Sequence, residues 1–101
     1  MALSISTPDP KGLLQDIRSA IDTKKIETWR YDKDGDFTHS PAQWVTKAWL
    51  RPVASLEELS LTIVRPQSGL EIDVPGVYQG RFAEMLINHF PKRFSKVSIV
   101  P

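Results

Sequence analysis

The hydrophobic residues of this chain change their period twice, and that restricts the folds open to it. In "PDPKGLLQDIRSAIDTKK", Leu13, Leu14, Ile17, Ala20 and Ile21 recur at the three- and four-residue spacing of one helix face. Asp9 is placed to cap that helix, and Pro10 suits its first position, where a missing N–H costs nothing. From Ile26 the period falls to two. "IETWRYD" and "DFTHS" read as strands joined at "DKDG", and "TKAWLRPVA" reads as a third strand, with Pro52 pointing to an edge position or a bulge. "LSLTIVRP" is the clearest strand, since Leu59, Leu61 and Ile63 alternate with Ser60 and Thr62. Helical spacing then returns in Tyr78, Phe82, Met85, Leu86 and His89, with Asp73 or its successor as cap, Pro75 in the first turn and Pro91 as the stop.

The resulting order is α-β-β-β-β-α-(β), the last strand coming from "SKVSIVP". Strands in a run with helices at the ends predict an α+β domain, a mainly antiparallel sheet with both helices on one face. If the final strand pairs in parallel with the strand before the second helix, a right-handed crossover is expected. At 101 residues one domain and one core are expected, with residues 1–8 a flexible lead-in.

Composition excludes several chemistries. Cysteine is absent, so disulfides, thiolate nucleophiles and cysteine-bound zinc or iron–sulfur centres are ruled out. Thirteen basic against 12 acidic residues give a net charge of +1. That balance speaks against a domain built to neutralise phosphates. The start "MALSISTPDP" lacks the charged and apolar regions of a signal peptide, and no apolar run nears the ~20 residues of a membrane span. A cytoplasmic protein without a membrane anchor is the expectation.

The aspartates of "YDKDGDF" resemble a calcium loop in spacing only. Counted from Asp32, Asp34 and Asp36 fall at positions 3 and 5, but Phe37 occupies position 6 and Gln43 position 12, where glycine and glutamate are needed. The same residues suit a hairpin tip, in which Asp side chains bond to nearby N–H groups and Gly takes a left-handed backbone. No metal site is assigned. An acid–base site from Asp34, Asp36 and His39 is also disfavoured, because a hairpin tip is too wet to sustain shifted pKa values. "SPAQW" carries Ser40 and Gln43 at capping-box spacing and reads as one helical turn that redirects the chain.

Three candidate sites remain. Trp44, in that turn, is the tryptophan expected to be half exposed and could anchor a protein partner. Tyr78, Arg81 and Glu84 form a candidate ligand site, with Tyr78, Arg81 and the N–H groups around Gly76 able to gather an anion at the helix start. Gly80 within the helix costs about 1 kcal/mol relative to Ala, which suggests close packing against Trp29 or Trp49. Trp29, Trp44 and Trp49 interleaved with Arg30, Lys47 and Arg51 superficially suggest a single-stranded nucleic-acid platform. The element order and missing glycine-aromatic signature argue against it.

Two runs, "DGDFTHSPAQWVTKAWLRP" and "VYQGRFAEMLINHF", resemble a group of short bacterial proteins sharing a "GDFTH…QW…AWLRP" segment and a "Y…GRF.EML..HF" helix. The resemblance spans roughly Thr28 to Phe90, with matching element order. Where that group commonly has Tyr-His before Gly-Arg-Phe, this chain has Tyr78 and Gln79. The resemblance implies a bacterial, cytoplasmic setting and brings no substrate, cofactor or catalytic residue. The leading reading is a noncatalytic interaction protein, a homodimer or the binder of another protein, using an exposed edge strand or Trp44. The alternative is a small-ligand or anion site, or an enzyme, built on Tyr78, Arg81 and Glu84. A concave pocket would favour the ligand, and a flat apolar patch around Trp44 the partner.

Overall fold

The computed structural model describes residues 1–101. Its elements are β1 (Ala2–Ser6), α1 (Pro10–Asp22), β2 (Trp29–Tyr31), β3 (Phe37–His39), β4 (Trp49–Ala54), β5 (Glu58–Val64), α2 (Val74–His89) and β6 (Lys96–Val100). The six strands form one antiparallel sheet in the order β2-β3-β4-β5-β1-β6. Both helices cover one face, α1 over β2, β4 and β5, and α2 over β3.

The α+β class and the helices on one face agree with the sequence reading, but two strand placements differ. Residues 2–6, expected within a flexible lead-in, form β1 and sit between β5 and β6. Leu3 pairs with Leu61 and Ile99, Ile5 pairs with Leu59 and Val97, and both side chains are fully buried. The alternation Leu3-Ser4-Ile5-Ser6 is the period of a strand with one face in the core. Only its shortness and its place beside the terminus hid it. The second difference follows from the first. β6 runs parallel to β5, as a crossover through α2 requires, but β1 lies between them and takes the antiparallel pairing instead.

Local signals hold where they are strongest. Asp9 caps α1 by accepting the Gly12 N–H at 3.1 Å, and Leu13 and Ile17 are buried beneath it. Asp73 stands at the cap of α2 without a side-chain bond, and the helix stops at His89, two residues before Pro91. Pro52 is tolerated because β3 meets β4 only at Phe37 and Leu50, leaving the rest of that side of β4 unpaired.

The aspartate turn is a hairpin tip. Asp32 Oδ1 accepts the N–H groups of Asp34 and Asp36 at 3.0 Å each, and Gly35 adopts a φ of +83°. Asp36 is buried and paired with the Arg51 guanidinium at 2.8 Å. Arg18 of α1 clasps the tip: its Nη2 donates to the Gly35 carbonyl at 3.0 Å, and its guanidinium lies over the Tyr31 and Phe37 rings. Gly80 behaves otherwise than expected. It is exposed, and nothing lies within 4 Å of where a Cβ would stand, so neither Trp29 nor Trp49 packs against it.

The two glycines therefore respond in opposite directions. Gly80→Ala is expected to raise the urea midpoint, gaining up to about 1 kcal/mol of helix propensity. Gly35→Ala should lower it by about 1–2 kcal/mol, because it forces a side chain into left-handed backbone, and an added Cβ would also stand 2.5 Å from Arg18 Nη2. Equilibrium urea unfolding of the two variants checks both signs.

Candidate functional site

Trp29, at the start of β2, organises the aromatic core from which the site rises. It is fully buried, and the rings of His39, Tyr78 and Phe82 lie 4.7, 5.7 and 5.0 Å from it between centroids. The Tyr78 and Phe82 contacts are edge-to-face, the arrangement that ring quadrupoles favour. His39 follows Phe37 by two along β3, so it shares the core-facing side with it.

Tyr78 is completely buried, yet its hydroxyl is fully engaged. It donates to the Trp44 carbonyl and meets Thr38 Oγ1 at 3.0 Å. Thr38 Oγ1 also accepts the Thr46 N–H at 2.9 Å and lies 3.0 Å from the Ala48 carbonyl. With Tyr78 donating to Trp44, Thr38 gives its single proton to Ala48 or to Tyr78. This network fixes the connection between β3 and β4. Within it, Trp44 and Val45 donate to the Pro41 carbonyl, closing the expected helical turn. Ser40 takes no part in a capping box; its hydroxyl donates to the Glu27 carbonyl at 2.6 Å.

Between this turn and the C-terminal half of α2 lies a cleft of about 480 Å³. Arg81, Glu84, Met85, Asn88 and His89 form the helix wall, while Thr28, His39, Pro41, Gln43 and Trp44 form the other. The structure thus brings together Arg81, Glu84 and Trp44, which the sequence reading had divided between two separate sites. Tyr78 does not line the cleft: it is sealed beneath it and holds the Trp44 turn in place. Arg81 lies five residues after Gly76 along α2 and lines this cleft together with Glu84.

His39 is the residue that sequence reasoning missed as a site member. The residue is only 5% exposed, and its Nδ1 lies 2.7 Å from the Thr28 carbonyl. A carbonyl oxygen only accepts, so Nδ1 carries the proton and Nε2 keeps the lone pair. No protein group hydrogen-bonds to Nε2. Burial pushes the pKa of His39 below the usual histidine value, and the nearby Arg81 cation adds to this. The Thr28 carbonyl and Glu84 oppose the shift without reversing it. The cleft therefore presents a neutral imidazole acceptor. Arg81 and Glu84 face each other on its rim at 3.2 Å, each side chain 56% exposed.

In the sequence His39 stands out by its alternation with Phe37 and by the disfavoured acid–base grouping with Asp34 and Asp36, and neither points to α2. His39 and His89 come from elements 50 residues apart in the chain, and only the packing of α2 on β3 makes them neighbours of one cleft.

Two outcomes follow from this geometry. Tyr78→Phe removes the hydroxyl and leaves the Trp44 carbonyl without its side-chain donor, and should lower stability by about 1–3 kcal/mol, read by urea unfolding. For His39 the sign is set by a folded pKa below the unfolded one. As pH falls, the unfolded chain takes up the proton first, so stability is complete above about pH 6.5 and declines as pH drops toward the folded value. His39→Phe, which keeps the ring and leaves the Thr28 carbonyl to the Ser40 N–H, should remove that part of the slope. Thermal unfolding of both proteins between about pH 7.5 and 5 tests it. No protein-family model, curated protein or solved structure matches this chain, so the functional reading rests on the geometry of the cleft.

Proposed function

We propose that the chain is a small-ligand-binding protein whose site is the cleft between α2 and the turn at residues 40–44. One observation carries this reading: a nearly buried histidine, held in one tautomer by the Thr28 carbonyl, faces a concave space with an acceptor that no protein group uses. In the free protein that acceptor is left to water, and a ligand donor enclosed by the cleft walls would take the water's place. The cleft volume falls within the roughly 300–1,000 Å³ of small-molecule sites.

The same geometry weighs against the protein-partner reading. Trp44 forms a wall of a polar concavity, where a docking anchor would stand on a flat apolar patch. The large exposed apolar side chains, among them Leu56, Ile72, Ile87 and Val100, do not line the cleft. The function proposed is binding without catalysis. His39 is oriented by a backbone carbonyl, and no carboxylate stands behind it to drive proton transfer. No helix is long and apolar enough to cross a membrane. A bacterial cytoplasmic setting belongs to this proposal as the implication of the family resemblance.

The test is an amide chemical-shift experiment on the labelled protein with pools of small polar metabolites. Binding should move the amides of Thr28, His39, Trp44, Arg81, Glu84 and Asn88 together. His39→Phe should weaken the effect about tenfold or more, the worth of one buried hydrogen bond. Shifts confined to other surfaces, or none from any pool, overturn the reading.

A further inference from the structure

We propose that the ligand is a small zwitterion with an ammonium and a carboxylate on neighbouring atoms, such as an α-amino acid. The proposal rests on the cleft reading above and names the chemistry that its walls select. Arg81 and Glu84 stand three residues apart on α2, so one wall offers a cation and an anion side by side. Their pairing is loose. Only Arg81 Nη1 is used, reaching both Glu84 oxygens at 3.3 and 3.2 Å, and the Nη2 and Nε donors have no protein acceptor. An exposed pair of this kind contributes little stability, so a ligand can part it at small cost.

Each simpler ligand meets an obstacle here. A lone anion would gain Arg81 and be repelled by Glu84, and a lone cation would meet the reverse. A phosphate-bearing ligand would find one cation offset by one carboxylate, where such sites gather basic groups. A zwitterion satisfies both charges at once.

The remaining groups indicate which end goes where. His39 lines the cleft with Nε2 as its unused acceptor, and Glu84 supplies carboxylate oxygens nearby. Trp44 offers an aromatic ring, which attracts cations. Asn88 and His89 belong to the last turn of α2, where the carbonyl ends of the helix give a partial negative charge. These features favour the ammonium between His39, Glu84 and Trp44, with the carboxylate on the free donors of Arg81.

Titration calorimetry of the full chain at about pH 7.5, where His39 is neutral, tests this. The probes are the standard free amino acids, with their N-acetyl and amide derivatives. At least one free amino acid should bind, and removing either charge should weaken it about tenfold or more. Arg81→Met should make the amide bind as well as the free acid, and Glu84→Gln should do the same for the N-acetyl form. Both positions are exposed, so the variants should fold as the parent does. Derivatives binding as tightly as the free amino acid would overturn the proposal. So would failure of every amino acid while another small metabolite moves the cleft amides, an outcome that leaves the cleft reading standing. If no small molecule moves those amides, both readings fall.

Discussion

The Tyr78 hydroxyl is the contact on which the rest of the site depends. It is buried beneath the connection between β3 and β4, and it reaches Trp44 and Thr38, residues 34 and 40 positions away. Thr38 in turn holds Thr46 and Ala48, so one small network sets the path of residues 44 to 48. Buried polar groups at that depth are costly unless all are satisfied, and here the hydroxyls share their protons among carbonyls and each other. The result is a turn pinned beside α2 through the Tyr78 hydroxyl. The cleft is the space that this leaves.

His39 gains its character from the same packing. Trp29 and Tyr78 surround its ring, the Thr28 carbonyl fixes its tautomer, and burial disfavours its charged form. The rim contributes full charges that remain in water, with Arg81 beside Glu84 on one wall. A neutral imidazole acceptor and an exposed pair of opposite charges are separate electrostatic environments within one concavity. A ligand that satisfies both must carry more than one kind of group.

Much of the fold was legible because its signals are local. The Asp9 cap, the Asp32–Gly35 hairpin tip and the alternation of Leu59, Leu61 and Ile63 each act within a few residues, and each appears where the sequence places it. The failures are non-local. Leu3 and Ile5 have the right alternation, but only the open place between β5 and β6 makes them a strand. Gly80 invited an inference of close packing, yet it faces solvent; nothing in the structure explains why it is not alanine. For the site, Arg81, Glu84 and Trp44 were singled out individually, and no sequence pattern could join them. Their meeting depends on α2 packing against β3 across some 40 residues of chain, and on Tyr78 being drawn inward instead of facing a ligand.

The account turns on the state of one ring. A long-range ¹⁵N–¹H correlation spectrum of the His39 imidazole at about pH 7, above its lowered folded pKa, reads it directly. The account predicts a protonated Nδ1 and an unprotonated Nε2, with a single tautomer populated. A charged ring, or a proton on Nε2, would contradict it: the cleft would then present a donor where the account needs an acceptor.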